Sequence, residues 1–385
     1  MMGKPDVPRV ALIVETSLSV GQGILMGISD YVKKYGPWSV YAFPHALDQA
    51  PRQWFKHWKG DGIIARLQNE EIREAVMDKG VPVVDVLGVC RPPEAALVHV
   101  DDNAISVMVA EHFIEQRFRE FAYIGLEKEN WSVNRERSFR TRVEEARGGY
   151  RSLLLSRETF EQTAWDELVE LVANWIAKLP VFTGIMLSSD AEGLLVQEAC
   201  RRAERIVGQD IGLVGVGNDP TLCNLNNPPL SSVDVDIESV GYQAASLLDS
   251  MMAGKQGPNE PLWIMPRRVI ARKSSDFVAS PDEDLARALQ YISSHYAESL
   301  SLDTIARHSG LSRSSLQRKF RQILNRTVFE EVTLARVRAA MELLQTDISI
   351  DEIAELTGFG YAQSMGRVFR KKLGHSPKHY RRWDR

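Results

Sequence analysis

The chain is poor in cysteine and has no long apolar run. Its three cysteines, Cys90, Cys200 and Cys223, are odd in number and widely spaced among 385 residues, so they indicate neither a disulfide scaffold nor a cysteine-based zinc site. We interpret them as buried or half-buried side chains in a reducing cytoplasm. No apolar stretch reaches the ~18 residues that a membrane-spanning helix needs. These absences predict a cytoplasmic protein that does not enter the membrane.

Catalytic motifs are missing as well. The sequence contains no GxSxG, no P-loop and no HExxH, and its eight histidines are scattered. The histidines are therefore interpreted as surface or core side chains. The sequence predicts no enzymatic activity, no metal site and no cofactor.

Charge is distributed unevenly along the chain. Residues 282–385 hold 17 Lys and Arg against 13 Asp and Glu, a net charge of +4, whereas the remainder holds 30 against 38, a net charge of −8. A basic carboxy-terminal part on an acidic body is what nucleic-acid binding at one end would require. A length of 385 residues with 44% hydrophobic residues suits two or three domains with full cores.

Residues 9–276 alternate short apolar runs with helical patterns, which predicts parallel sheets with helices on both faces. Some 270 residues are many for one sheet, so we expect two lobes. The opening MMGKPDVPRV leads into the first strand and does not have the pattern of a secretion signal. The predicted strands are 10–14, 39–43, 62–67 and 82–87 in the first lobe and 121–125, 150–155, 184–188 and 211–215 in the second.

The last hundred residues contain two similar helix-turn-helix patterns, at about 302–324 and 350–373. In each, a turn glycine, Gly310 or Gly358, separates a short helix from a second helix with an apolar stripe. The second pattern has one extra residue between its glycine and its buried phenylalanine. The predicted stripes are Leu316, Phe320 and Ile323 in the first unit and Met365, Phe369 and Leu373 in the second.

A helix at 329–344 is predicted to join the two units. Its apolar stripe includes Phe329, Val332, Val337 and Ala340. About sixteen residues at ~1.5 Å each make a strut of roughly 24 Å. With the width of the units added, the second helices could reach successive major grooves about 34 Å apart. We therefore expect two insertions into DNA per chain.

The exposed faces of the two second helices carry cationic and hydrogen-bonding side chains, which suit phosphates and base edges. A single charged helix face is more often only a solvated face, but tandem repetition favours DNA binding. The predicted DNA-binding residues are Arg313, Ser314, Ser315, Gln317, Arg318 and Arg321 in the first unit, and Tyr361, Gln363, Ser364, Arg367, Arg370 and Lys371 in the second.

Two helix-turn-helix units joined by a helix and followed by FRKKLG and SPKHYRR resemble the DNA-binding domain of the AraC family of bacterial transcription regulators, over about 104 residues. The resemblance implies a promoter-binding activator that contacts RNA polymerase. It also implies which residues contact bases: Ser314, Gln317 and Arg318 in the first unit, and Gln363, Ser364 and Arg367 in the second.

The body resembles the effector domain of LacI-type repressors, itself similar to periplasmic sugar-binding proteins, most clearly at 98–126 and 210–248. The whole chain resembles the bacterial xylose operon regulators, in which such a sensor precedes an AraC-type domain. The resemblance implies a ligand-sensing domain at 9–276, a linker at 277–284 and a DNA-binding domain at 285–385. It further implies a homodimer, with helix 105–118 and segment 242–248 as candidate contact faces, and a monosaccharide effector such as xylose.

Such sensors close two lobes over a ligand at the carboxyl ends of their strands. Sugar hydroxyls need planar bidentate partners, and sugar C–H faces favour an aromatic platform. Gly217 departs from the family, which usually has an aspartate there. Each candidate could instead be a local cap, and the body could be a dimerisation scaffold or a sensor of a non-sugar ligand. The predicted ligand-binding residues are Glu15, Ser17, Asp102, Trp131, Arg135, Asp190, Asn218 and Asp219.

Overall fold

A computed structural model describes residues 7–44, 46, 53–277, 282–324, 326–344, 346 and 348–381. Two compact units are present, an α/β unit within 1–115 and 119–276 and a helical unit within 116–118 and 277–385. Half of the predicted linker 277–284, residues 278–281, lies outside the described residues. In the part of the chain that the structure describes, no helix is both long and apolar enough to cross a bilayer.

The first lobe of the α/β unit contains five successive strands, of which the sequence pattern predicted all but the fifth. Ser39–Ala42 is an edge strand, whereas the others have mostly buried residues. The elements are β1 (Arg9–Ile13), α1 (Ser19–Tyr35), β2 (Ser39–Ala42), α2 (Gln53–His57), β3 (Gly62–Ala65), α3 (Glu70–Met77), β4 (Val83–Asp85) and β5 (Ala96–Val100).

The second lobe follows, and the chain then returns to each lobe once. The elements are α4 (Asp102–Glu115), β6 (Glu120–Leu126), α5 (Asn130–Glu145), β7 (Gly149–Leu155), α6 (Arg157–Gln162), α7 (Trp165–Ile176), β8 (Thr183–Leu187), α8 (Gly193–Arg202), β9 (Ile211–Val216), α9 (Pro220–Leu225), β10 (Ser231–Asp234), α10 (Ile237–Met252), β11 (Leu262–Ile264) and β12 (Arg268–Ile270).

Each lobe is built on one six-stranded sheet, with the orders β11-β5-β4-β3-β1-β2 and β12-β10-β9-β8-β6-β7. All pairings are parallel except that between β10 and β12. The chain crosses between the lobes three times, after β5, after β10 and after β11. The predicted two-lobed α/β architecture is therefore confirmed.

Helices α1 and α10 pack closely on the first lobe because glycines lie at their contact. A Cβ at Gly27 would lie 1.9 Å from the Glu238 carbonyl oxygen, and one at Gly241 the same distance from that of Ile24. In helix 105–118, one of the two candidate dimer contact faces, Ile105, Val109 and Phe113 are buried within the chain itself.

The helical unit contains the two predicted helix-turn-helix motifs, α12–α13 and α15–α16. Ser301 and Ser349 cap the first helix of each motif by accepting bonds from the amides of Thr304 and Glu352. The helices are α11 (Glu283–His295), α12 (Leu302–Ser309), α13 (Arg313–Leu324), α14 (Val328–Leu343), α15 (Ile350–Leu356) and α16 (Ala362–Leu373).

The connecting helix α14 contributes to two separate cores. Val328 and Val332 pack in the core that holds Phe320 of α13, whereas Val337 and Ala340 pack in the core that holds Phe369 of α16. The helix therefore fixes each motif through its own apolar contacts.

Three predicted stripe positions differ in the structure. Phe329 is 52% exposed, since Val328 and Val332 occupy the inward face of α14 and Phe329 lies about 100° around the helix from Val328. Leu373 is 38% exposed because it ends α16, where Gly374 turns the chain in the left-handed conformation. In α13, Leu324 is buried, and Ile323 is only partly so.

Candidate ligand site and nucleic-acid interface

A buried ion pair lies at the carboxyl ends of adjacent strands of the first sheet. Glu15 follows β1, Arg66 follows β3, and Arg66 donates to the Glu15 carboxylate. Both side chains are buried. Glu15 Oε2 and Arg66 Nε have no hydrogen-bond partner among the described residues, although burying an unpaired polar atom is costly. Within the described part of the chain, the pair therefore leaves one acceptor and one donor without a partner.

A second cluster joins three of the predicted ligand residues. Arg135 of α5 donates from Nε to Asp102 Oδ1 at 2.7 Å and from Nη1 to the Ser188 carbonyl oxygen at 2.7 Å. Its guanidinium carbon lies 5.0 Å from the centroid of the Trp131 ring. Burial raises the pKa of Asp102, and the charge of Arg135 opposes that rise. A planar cation beside an aromatic face is an arrangement that suits a polyhydroxylated ring.

The three remaining polar candidates of the second lobe already bond within that lobe. Asp190 accepts from Ser232 Oγ at 2.6 Å and from the amide of Asp219 at 2.8 Å. Asn218 Oδ1 accepts from Arg272 Nη2 at 2.8 Å. Asp219 caps α9 by accepting from the amides of its first turn. This local cap is the alternative to ligand binding that was open for Asp219.

The remaining first-lobe candidate and the unusual glycine also have defined positions. Ser17 is exposed in the loop after β1. Gly217 has φ +125°, and a Cβ there would lie 3.3 Å from Asp190 Oδ2. Residues with side chains rarely adopt this backbone conformation. Compared with the aspartate usual in the family, Gly217 therefore changes the local backbone as well as removing a carboxylate.

Side-chain hydrogen bonds between described residues join the lobes. Gln68 Nε2, after β3, donates to Glu129 Oε2 at 3.3 Å, and Asn130 Nδ2, at the start of α5, donates to the Gly88 carbonyl oxygen at 2.6 Å. Glu129 is also bonded by Arg157 at 2.6 Å. Glu129 and Asn130 directly precede Trp131 in sequence. Their contacts therefore place the first lobe against the start of α5, the helix that carries Arg135.

His99 on β5 is half-buried, with both ring nitrogens buried, and it lies near both arginines. Burial lowers the pKa of His99 to about 3, and the charges of Arg135 and Arg66 act in the same direction. The imidazole is therefore neutral at physiological pH.

The predicted DNA-binding residues of the first motif lie on one polar face of α13. Ser314, Gln317, Arg318 and Arg321 are exposed, and Ser315 is half-buried. Arg313 is exposed but forms an ion pair with Asp303 of α12. Since that pair is solvated, it orients Arg313 and contributes little to stability.

The predicted residues of the second motif lie on the corresponding face of α16. Tyr361 precedes the helix and is 78% exposed. The extra residue of this motif lies in its turn, where both Gly358 and Gly360 have φ +75°. Arg370 Nε donates to the Gly366 carbonyl oxygen at 3.1 Å. The side chains of Gln363, Arg367 and Lys371 are exposed, and that of Ser364 is half-buried.

Three family models match successive parts of the chain: a XylR N-terminal domain at residues 9–97, a periplasmic binding protein-like domain at 110–275 and a helix-turn-helix domain at 305–382. The xylose operon regulatory protein of Escherichia coli strain K12 is 27% identical over 385 residues, which cover 97% of this chain and 96% of that protein. The chain is similar to the xylose operon regulatory proteins along nearly its whole length.

Two further comparisons give similar matches, one along the whole chain and one along its last part. A solved structure of a xylose-binding transcription activator, xylR, has a TM-score of 0.71 and 26% identity, with 98% of each chain covered. The regulatory protein SoxS of Salmonella typhimurium is 35% identical over 94 residues, which cover 24% of this chain and 88% of that protein. The chain is thus a transcription regulator, as the sequence predicted.

Sequence reasoning missed four groups around the candidate ligand site: Arg66, Gln68, Gly88 and Glu129. Arg66 directly follows the apolar run GIIA and Gln68 comes two residues later, but the predicted strand was extended over Arg66. A charged residue that ends a buried parallel strand was the available signal, because the carboxyl ends of such strands are where these folds bind ligands.

Proposed function

We propose that this chain is a cytoplasmic, sugar-responsive transcription activator that binds promoter DNA through both helix-turn-helix motifs. The observation that carries the proposal is the order of the parts. A two-lobed α/β unit precedes two motifs whose second helices each bury an apolar stripe and expose a polar face. We place the sensing domain at 9–276, the linker at 277–284 and the DNA-binding domain at 285–385.

The proposed effector is a monosaccharide, with xylose as the first candidate because the relatives are named for that sugar. The buried arginines supply donors, and Glu15 and Asp102 supply acceptors for hydroxyl groups. The Trp131 ring offers an apolar platform. The proposed contacts are Glu15, Ser17, Asp102, Trp131, Arg135, Asp190, Asn218 and Asp219, with Arg66 and Gln68 added from the geometry.

The proposed mechanism is a population shift. Sugar binding selects the form in which the lobes are closed, and this changes the spacing of the two DNA-binding domains in a homodimer. In the new spacing both chains occupy adjacent operator half-sites and contact RNA polymerase. The required coupling is modest, since ~1–3 kcal/mol between two sites is typical of allosteric proteins.

Thermal unfolding of the full chain with a panel of pentoses and hexoses tests the effector, because a ligand stabilises the form that binds it. We expect one or a few sugars to raise the Tm and to change the mobility or affinity of the complex with promoter DNA. A flat response to every sugar, with DNA binding intact, would favour the alternative in which the body is a dimerisation scaffold or senses a different ligand.

A further inference from the structure

The hydrogen bonds that Gln68 and Asn130 form between the lobes both involve loops of the first lobe that follow neighbouring strands. Gln68 lies in the loop after β3, and Gly88 lies in the loop after β4. Their partners, Glu129 and Asn130, are adjacent and lead directly into α5. The same short segment of the second lobe therefore receives both contacts.

Both first-lobe loops are bonded to one carboxylate. Asp85, the last residue of β4, is completely buried. Its Oδ1 accepts from the amides of Leu67 at 3.3 Å and Leu87 at 2.9 Å, and its Oδ2 accepts from the amide of Gly88 at 3.0 Å. Asp85 thus holds the residue next to Gln68 and the residue whose carbonyl oxygen meets Asn130.

Connecting two loops through a buried carboxylate has a large free-energy cost, because the charge loses its hydration unless hydrogen bonds compensate. Burial raises the pKa of Asp85 to about 6, while the three backbone amides and the charge of Arg66 favour the ionised form. Only an acceptor at both oxygens satisfies all three amides at once. The arrangement therefore fixes the separation of the two loops.

We propose that Asp85 is a positioning residue of the effector site. It sets the loops after β3 and β4 so that the Gln68 side chain and the Gly88 carbonyl oxygen meet Glu129 and Asn130 when the lobes close. In this way it stabilises the closed form without touching the effector. The inference rests on the proposed function, since a sensor of this kind works by closing its lobes.

Asp85→Asn is the sharpest variant, because it keeps an acceptor at one oxygen and places an amide N–H against the Gly88 amide at the other. Its matched control is Asp78→Asn, since Asp78 is exposed at the end of α3 in the same lobe. Asn130→Ala removes the bond to Gly88 at an exposed position and keeps the test usable if Asp85→Asn does not fold.

Lobe closure can be measured without knowing the effector. Spin labels at exposed Glu71 of α3 and Arg137 of α5, each replaced by cysteine in a Cys90→Ser background of the full chain, report the distance between the lobes. We expect Asp85→Asn and Asn130→Ala each to shift the distance distribution toward longer values, and Asp78→Asn to leave it unchanged. Unchanged distributions in both folded variants overturn the proposal.

A double-mutant cycle separates positioning from general destabilisation. The side chains of Asp85 and Asn130 are not bonded to each other, so coupling between them has to pass through Gly88. With D-xylose, or the best sugar of the panel, each single variant is expected to weaken binding about fivefold, the effect of one net hydrogen bond. The double variant should then be little worse than either single variant. Fully multiplicative effects would instead assign Asp85 a purely structural role.

Failure of this proposal is distinguishable from failure of the proposed function. If no sugar binds but Asp85→Asn still opens the lobes, the effector assignment fails and the positioning role stands. If a sugar binds equally well to wild type, Asp85→Asn and Asn130→Ala, the effector stands and the positioning role is overturned.

Discussion

Arg135 has two roles, since it holds Asp102 in a buried pair while facing the Trp131 ring. Arg135→Ala is expected to abolish the sugar response and to lower the free energy of unfolding of the α/β unit by ~3–5 kcal/mol, because Asp102 is left buried and unpaired. DNA affinity without sugar should be retained. Urea unfolding and a gel-shift titration measure the two effects.

Arg137→Ala is the matched control, because Arg137 is exposed on the same helix. If the two variants unfold at the same urea concentration, the pair with Asp102 is not a stabilising contact in solution. Loss of basal DNA binding in Arg135→Ala alone would mean that the arginine maintains the fold and not the sugar response.

Because of Asp85, the stability of the fold and the closure of the lobes are expected to change with pH in opposite directions. Its pKa is raised in the folded chain, from the usual 3.8 to about 6. Its contribution to stability is therefore full below the unfolded pKa and is lost as the pH rises through about 6. The ionised form, however, is the one that accepts from all three amides, so closure should increase over the same range.

The pH test compares wild type with Asp85→Asn between pH 4.5 and 7.5. Asp102, Asp190 and Glu192 also have raised pKa values, and the comparison removes their shared contribution. The wild type should lose stability relative to the variant as the pH rises, and only the wild type should close further. Parallel curves would contradict the assignment.

Arg318 and Arg367 are the cations of the two polar faces to which the family resemblance assigns base contacts. Both are exposed. Replacing either by alanine is expected to weaken binding to the preferred site by about 1–3 kcal/mol and to relax preference at the bases contacted. Competition gel shifts with single-base variants of the promoter measure both effects. Arg201→Ala, at an exposed site of the α/β unit, is the control and should bind as wild type does.

The turns of the two motifs differ in how much room they leave, although Gly310, Gly358 and Gly360 all have a φ of +73° to +75°. A Cβ at Gly360 meets nothing within 4 Å, and one at Gly310 lies 3.7 Å from an arginine side chain. At Gly358 it would lie 2.6 Å from the Ala297 carbonyl oxygen. The second motif therefore depends on glycine for space as well as for conformation.

Gly310→Ala and Gly360→Ala are expected to cost ~1–2 kcal/mol, the strain of a left-handed residue with a side chain. Gly358→Ala should cost clearly more, because backbone atoms have to move. Urea unfolding followed by circular dichroism, with the transition of the helical unit fitted separately, measures the order. Equal losses at the three positions would show that the Ala297 contact relaxes freely.

Sequence patterns predicted the long helix α14 and short buried strands such as β3 and β4. They missed β5 and β11, which are equally short. Periodicity alone does not show which short apolar runs become strands, because that depends on pairing with a neighbouring strand. Sequence patterns also missed the Glu15–Arg66 pair. Those residues meet only because β3 lies beside β1, and strand order is set by the packing of the whole sheet.

Some of the predicted ligand-binding residues could be grouped from the sequence, and others could not. Trp131, Arg135 and Asp102 come together because two of them lie one helical turn apart and the third begins the neighbouring helix. Asp219 could not be told from a helix cap by sequence, since an acidic residue before a proline-initiated helix suits either role.

The two motifs are predicted to bind one face of a duplex through a rigid connection, because α14 packs into both cores. Inserting about five base pairs, half a turn of B-DNA, between the two bound elements of a selected operator should reduce affinity to that of an operator with one element scrambled. An insertion of equal length outside both elements is the control. Undiminished affinity after the internal insertion would mean that the motifs bind independently.

The three crossings between the lobes decide when the chain can fold during synthesis. The first sheet receives its outermost strand only from Leu262–Ile264, although its other strands are complete by Val100. A ribosome therefore has to release nearly the whole α/β unit before either sheet can be finished. Neither lobe can be produced as a contiguous fragment, and proteins that bind nascent chains would meet the open edge at β5 until Leu262–Ile264 has emerged.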